Sequence, residues 1–494
     1  MEQVKVKKQR NFSLNSFLKY FFIASVSGLA VWVIVGVVLG CVAPNVDEHI
    51  LYVFSGNIPF SDFAETLSYA ICPNPYTGEY GISTFYPPIS FLIFYPFALI
   101  CLEPLNNYSS GAITLEQLSS NPLFILSFVL YYLINLAIIL YIAAKFSKLK
   151  GQNLFFLLGI LFCFGPLLFE FIRANNTLTV CTLSLLSFYL NNSEKRWQRE
   201  LSYVCLAGAI CMKIYPALMI FYLIYKEKRF EKLFSVLKTL GYTLVLLFIP
   251  FLFIEGGFSN IIHEWNNFTG FSGSGASALS LDGIIQFIES LGPTQWTTNI
   301  SIETVVFWFC ELLSLIFGGA DMSLVHSLLS TVLRYGLLLC AAVLPFLGFK
   351  SGKNKEFVTL ALGSYLLFPG VCNGYCMTLM MIPFLFMVKD WDNMKFSDKV
   401  LYTVCFAIVA NPVFFSFGIF IPSSIATIVL VVKSIVDIII DVCHTFKKKK
   451  PESVEDEKQE KIVEKQQVEN ENVSTFFIIF ANAWMRCQQI TRKT

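Results

Sequence analysis

In this chain the ionisable side chains set inside apolar runs are the first place to look for chemistry, because a charge at the centre of a bilayer costs about 2.5–3.5 kcal/mol. Lys213 stands in the middle of the run 201–225 and is followed by Ile214-Tyr215-Pro216. Basic residues flank both ends of that run, so the simplest geometry is a hairpin of two short helices with Lys213 and Pro216 near its turn. A lysine that snorkels from a helix end is the other reading. Glu170 and Arg173, followed by Ala174-Asn175-Asn176, are three apart and share a helix face. They mark a site or simply pair with each other. Glu311 and Arg334, mid-run in consecutive segments, fit a buried structural ion pair.

A second polar constellation lies in the loops. The first long loop carries Asp47-Glu48-His49, Ser61-Asp62-Phe63 and Asn74-Pro75-Tyr76, and closes on Phe85-Tyr86-Pro87-Pro88 at the next apolar run. Adjacent prolines at a helix start fix the direction of the chain, and a loop carboxylate held near the membrane can be presented to a lipid headgroup. The second long loop carries His263-Glu264-Trp265-Asn266-Asn267. The four His are scattered, without HExxH or comparable spacing, so no metal centre is expected. The fourteen Cys contain no CxxC pair and read as packing residues, with a disulfide from Cys72 to a loop cysteine, Cys372 or Cys376, as the alternative.

The elements that must position these residues are membrane helices. Of the 494 residues 55% are hydrophobic, 16% aromatic and only 14% charged. Soluble domains carry about 25% charged residues, so water-soluble folds are excluded. Apolar runs recur from residue 17 to about residue 442. They make about eleven to thirteen membrane segments, some shorter than the ~20 residues of a full crossing and therefore half-helices or re-entrant. The expected fold is all-α, a polytopic helical membrane domain over residues 1–443. A charged cytoplasmic tail, 444–494, follows, with an interfacial helix at 475–486.

Basic clusters from Lys145–Lys150 to Lys447–Lys450 place both termini in the cytoplasm and the Lys-poor loops 44–84, 255–301 and 371–377 on the outer face. The stretches 85–121 and 281–323 break strict alternation unless each holds a re-entrant or interfacial segment. The formal charge of +2 carries no argument for nucleic acid, and none is expected as a partner. No Gly-rich phosphate loop and no room for a βαβ domain exist, which excludes ATP-driven pumps and soluble-type nucleotide-sugar enzymes.

The order Ser61-Asp62-Phe63, Tyr86-Pro87-Pro88, Arg173-Ala174-Asn175-Asn176, Lys213-Ile214-Tyr215-Pro216-Ala217, Gly256-Gly257, Leu279-Ser280-Leu281-Asp282-Gly283 and Cys372-Asn373-Gly374-Tyr375 resembles glycosyltransferase family 87 over roughly residues 15–390. This is the polyprenyl-phosphate-mannose-dependent type with the all-helical GT-C fold. The resemblance implies a hexosyltransferase of the plasma membrane. It would move a hexose, mannose first, from a lipid-linked donor to an acceptor hydroxyl of a cell-envelope glycan or glycolipid, with inversion, on the extracytoplasmic face. It implies Asp62 as general base, with Asp47 as its competitor because the loop aligns either way. Arg173 and Lys213 become the donor-phosphate partners, and Asn176, Tyr215, Tyr86, His263, Asn266 and Tyr375 candidate substrate contacts. No cofactor is implied, and insensitivity to EDTA is expected. The enlarged loop Cys72–Gly81 and the charged tail depart from the family pattern and leave the acceptor open. The competing functions are a multi-span transporter or lipid flippase and a ligase using diphosphate-linked glycans. A transporter places its site at the midplane between repeats, whereas here no repeat is found and the polar groups gather at one face.

Overall fold

The computed structural model describes residues 12–42, 60–78, 83–226, 229–271, 300–347, 354–369, 372–411 and 421–448. These are overwhelmingly helical and contain no strand, and the protein is an all-α polytopic membrane protein. Helices α1 (Leu14–Val42) and α2 (Ser61–Ile71) are followed by four short ones, α3 (Ile89–Leu92), α4 (Tyr95–Ile100), α5 (Leu102–Ser109) and α6 (Leu115–Ser119). Next come α7 (Pro122–Ser147), α8 (Gly151–Phe162), α9 (Gly165–Arg173), α10 (Thr177–Asn191), α11 (Arg196–Met212), α12 (Met219–Lys226), α13 (Arg229–Phe248) and α14 (Asn260–Phe271). The last described are α15 (Ile302–Ile316), α16 (Ser323–Leu347), α17 (Asn354–Leu367), α18 (Met381–Asp390), α19 (Phe396–Ala410) and α20 (Ile421–Lys448).

Among the described residues, Leu14–Val35, Pro122–Ser147, Leu233–Phe253 and Ser323–Phe346 are each long and apolar enough to cross a bilayer, and α8 with α9 forms a further candidate bent by 45°. The bend has a cause in the sequence. Pro166 opens α9 and has no N–H to continue the ladder of α8. The run 201–225 is likewise split, because α11 ends at Met212 and a 3-10 turn with Pro216 in its first residues intervenes before α12.

Helix α2 matters most for the site, and aromatic packing holds it. Phe63, Ala64, Leu67 and Ala70 form its buried stripe, and the Phe63 ring lies among Phe94, Phe124, Phe128 and Tyr131 at centroid distances of 5.3–6.1 Å. Its start is set by Phe60, whose φ of 69° is unusual for a bulky residue. That conformation directs the Phe60 amide onto the Ile172 carbonyl at 3.0 Å, while its ring seats 4.4 Å from Phe128. Helix α2 is thereby tied to the last turn of α9.

Gly363 of α17 is a contact point with α20, since a Cβ there would run into Val431 Cγ2. Gly→Ala in a helix normally gains about 1 kcal/mol, but overpacking against a stiff β-branched neighbour costs about 1–3 kcal/mol. Gly363→Ala is therefore expected to lower the unfolding temperature of the purified protein; a rise would show that α20 yields freely.

Arg334 does not pair with Glu311, which is exposed on α15. Its partner is Glu303 in the first turn of that helix, at 3.2 Å, and its Nε donates to the Phe368 carbonyl at 2.7 Å. Glu303 and Glu311 are two turns apart on α15, and the Phe368 carbonyl that fixes Arg334 follows the end of α17, beside the start of α15. Nearby, the Ile300 amide donates to the Cys372 carbonyl at 2.9 Å and Ser424 to the Ile300 carbonyl at 3.1 Å. These bonds hold the segment that leads into Tyr375. Among the described residues Cys72 forms no disulfide, and Cys372 and Cys376 are buried thiols.

The chain divides into two units, Met1–Ile438 and Ile439–Thr494. Helix α20 continues without interruption through the predicted tail boundary at 443/444 to Lys448. Residues 449–494, with the predicted interfacial helix at 475–486, lie outside the described residues. So do 43–59, with Asp47, and Leu279–Gly283.

Candidate functional site

Four helix ends supply the polar groups, and each charge complements the dipole of its own helix. Asp62 is in the first turn of α2, Arg173 in the last turn of α9, and Lys213 directly follows the last residue of α11. Carboxylates are favoured at helix N-termini and cations at C-termini, typically by about 0.3–1 kcal/mol each. The fourth end is the start of α10, whose orphan amides need acceptors in a dry interior. Asn175 Oδ1 takes the Thr177 amide at 3.1 Å and Glu170 Oε1 takes the Leu178 amide at 3.1 Å. Between α9 and α10, Ala174 adopts φ 54°, a left-handed turn whose amide returns to the Glu170 carbonyl at 2.7 Å.

One hydrogen-bond network joins the ends. Arg173 Nη2 donates to Asp62 Oδ1 at 2.8 Å. Asn175 Nδ2 donates to Asp62 Oδ2 at 2.7 Å. Lys213 Nζ donates to Asn175 Oδ1 at 2.6 Å and to Thr177 Oγ1 at 2.8 Å. The orientation of the Asn175 amide follows from its neighbours: an ammonium and a backbone N–H can only donate, so the oxygen must face them. Asn175 thus couples the carboxylate to the ammonium. The ammonium also stands 4.9 Å from the centroid of the Tyr375 ring.

The phenol of Tyr86 is pushed above its ordinary range by burial, with the charge of Asp62 adding to the effect. Its ring stacks on Phe85 at 4.7 Å and its carbonyl accepts the Tyr76 hydroxyl at 2.8 Å. Glu65 shares the Asp62 face of α2 one turn on, and it too is pushed up, by desolvation first and by Asp62 second, with Arg173 opposing.

Helix α14 is laced to the loop that precedes Tyr86. Asn74 Nδ2 donates to Asn260 Oδ1 at 3.1 Å, and Asn267 Nδ2 donates to the carbonyls of Tyr76 and Thr84, both at 2.9 Å. Gly256 permits the approach: its φ is 87°, and a Cβ would come within 3.1–3.2 Å of the Asn260 and Asn74 amides. Glu264 lies between the two asparagines on that helix, and burial raises its carboxyl from an ordinary 4.5 to about 7. A carboxyl raised on folding costs nothing below the unfolded value and its full penalty above the folded one. Stability is therefore expected to decline as pH rises from about 4.5 to about 7, and Glu264→Gln to remove that part of the decline. Unfolding temperatures at pH 5 and pH 8 check it; an identical pH dependence in the variant counts against the assignment.

The structure thus brings Asp62, Arg173 and Lys213 into one network, with Tyr375 against the ammonium. Of the two readings of Glu170 and Arg173, a site or a mutual pair, the structure shows Arg173 on Asp62, with Glu170 turned to the start of α10. Asn176, the asparagine named from sequence, is buried with its Oδ1 unpartnered among the described residues, and Asn175 is the one that binds. His263 and Asn266 are both exposed on α14. Only the backbone of Tyr215, in the turn after Lys213, is described. Sequence reasoning missed Asn175, Thr177 and Glu65. The Asn175-Asn176 doublet did point to the first, but its two members are distinguishable only once Ala174 has set the turn.

Residues 84–369, more than half of the chain, match the model of glycosyltransferase family 87. Arg173, Asn175 and Lys213 fall inside the matched span and Asp62 before it. No curated protein matches the chain.

Proposed function

The chain belongs to glycosyltransferase family 87 and is a membrane glycosyltransferase, and we propose that it transfers a hexose, mannose first, from a polyprenyl phosphate to an acceptor hydroxyl of a cell-envelope glycan or glycolipid, with inversion. The observation that carries this reading is the shared network of one carboxylate and two cations, Asp62 with Arg173 and, through Asn175, Lys213. A phosphate is already a good leaving group, so the demand on the protein is to hold the charge that develops on it. Preorganised cations meet that demand without reorganisation. The acceptor hydroxyl needs a single base on the opposite face of the sugar. Asp62 accepts the acceptor proton, the acceptor oxygen bonds to the anomeric carbon, and the carbon–oxygen bond to phosphate breaks with its electron pair going to the lipid phosphate. Tyr86 and Tyr375 border this path, and His263 and Asn266 are carried on α14, which is laced to the Tyr86 loop. With both charges met by side chains, turnover is expected to survive EDTA. The Lys-poor loops support a site on the outer face of the plasma membrane.

The test is transfer by purified protein in lipid nanodiscs from radiolabelled polyprenyl-phosphate mannose and its glucose analogue, with membrane extract as acceptor source. Label passing to an extractable glycan or glycolipid supports the reading, and the preferred donor names the sugar. No transfer from either donor, with diphosphate-linked donors active instead, overturns it.

A further inference from the structure

Resting on that reading of the site, we propose that the open face of α2 beyond Asp62 seats the acceptor, with Glu65, Tyr69, Tyr86 and Tyr108 as its contacts, and that the accepting hydroxyl is carried on an uncharged pyranose ring. Asp62, Glu65 and Tyr69 are spaced three and four apart, so they follow one another along one stripe of the helix. The buried stripe of Phe63, Ala64, Leu67 and Ala70 points the other way, into the aromatic core. Thr66, which shares the open side, turns its hydroxyl back to the Asp62 carbonyl at 2.7 Å.

Two other segments close round this stripe. The Ser109 hydroxyl of α5 donates to Ser68 Oγ at 3.2 Å, which brings Tyr108, one residue earlier, against α2. The Tyr69 ring lies 6.3 Å from that of Phe91 in α3, the helix that Tyr86-Pro87-Pro88 leads into. The charges of Glu65 and Asp62 act on the Tyr69 hydroxyl together with the phenols of Tyr86 and Tyr108, and Glu65 acts in turn on Tyr86 and Tyr108, so the five groups face one another. They are not packed shut: Glu65 is exposed and the three tyrosines are half-buried.

Charge decides which substrate belongs here. Arg173, Asn175 and Lys213 approach Asp62 from the α9–α10 turn and the end of α11, and that side suits an anion. The stripe along α2 presents a carboxylate and three phenols, which disfavours a phosphate and suits a neutral partner rich in hydroxyls. A pyranose has that character. Its hydroxyls donate to a carboxylate, while its C–H faces lie on tyrosine rings, which combine an apolar body with a polar tip. Three residues of helix rise about 4.5 Å, a span that one pyranose ring bridges. A hydroxyl on one side of the ring then meets Asp62 while one on the other meets Glu65.

The experiment gives the purified protein in nanodiscs radiolabelled polyprenyl-phosphate mannose or its glucose analogue, with octyl mannopyranoside, octyl glucopyranoside or 1-O-octylglycerol as acceptor and membrane extract as control. The three octyl compounds share a tail and differ in whether their hydroxyls sit on a ring. Label is expected on at least one pyranoside, with kcat/KM for octylglycerol lower by about 10-fold or more. In Glu65→Gln the KM for the pyranoside should rise about 10-fold, and in Tyr69→Leu several-fold, with the KM for donor unchanged. A merely structural role would move donor and acceptor parameters together. Equal transfer to octylglycerol overturns the proposal, as does a wild-type acceptor KM in both variants. Label that passes to the membrane extract but to neither pyranoside also overturns it, whereas failure to label even the extract removes the donor reading on which it rests.

Discussion

Asp62→Asn is expected to lower transfer by about 10³-fold, within the range a positioned general base contributes, while leaving donor affinity within a few-fold of wild type. The substitution keeps the shape of the side chain and removes the proton acceptor. It also has a structural cost that must be measured separately. The new side-chain amide can turn its oxygen to Arg173, but its NH₂ then faces the NH₂ of Asn175, which in the wild type donates to Asp62 Oδ2. One buried donor loses its partner, at about 1–3 kcal/mol. A lower unfolding temperature with donor binding intact is therefore the expected background against which the loss of turnover is read. If the folded variant retains wild-type turnover, Asp62 is not the base and Asp47→Asn becomes the deciding substitution.

Lys213→Met is expected to lower kcat/KM for the donor by about 10²–10³-fold, the effect of deleting one preorganised charge partner of a developing anion. Methionine retains most of the apolar stem beside Tyr375 and deletes the ammonium. The Asn175–Asp62 and Asn175–Thr177 hydrogen bonds do not involve the ammonium, so the base side of the site should persist. The signature is a loss confined to donor parameters, with the KM for acceptor little changed. Lys213→Arg should not restore the rate, since a planar guanidinium cannot take the place of a compact ammonium between Asn175 Oδ1, Thr177 Oγ1 and the Tyr375 ring. Donor kinetics unchanged in the methionine variant would remove Lys213 from the phosphate site.

Asn175 is the hinge between these two results, with its nitrogen on the base and its oxygen on the ammonium. Its partners explain why the two charges, which lie 151 positions apart in sequence at Asp62 and Lys213, act as a unit. The same four-helix junction explains why the local pairing suggested by Glu170 and Arg173 fails. Three-residue spacing puts both on one side of α9, but the start of α10 leaves amides that need acceptors in an apolar interior, and Glu170 is drawn to them. Arg173, at the very end of its helix, is left to meet α2.

Composition and long apolar runs by themselves determined that this is a helical membrane protein, because lipid leaves the backbone few ways to satisfy itself and so few charges cannot cover a soluble surface. The cost of a charge in that setting made Arg173 and Lys213 stand out, and Pro216 was visible as the turn of a split run, whereas the break at Pro166 emerged only with the structure. What only the tertiary structure decided is partnership. That Arg334 takes Glu303 over Glu311, that Arg173 takes Asp62 over Glu170, and that Asn175 binds where Asn176 does not, each depends on which helix ends meet. The last two of these are set by the left-handed turns at Phe60 and Ala174 and by the aromatic seat of α2, features fixed by the packing of distant rings, for which no local spacing in the chain carries a signal.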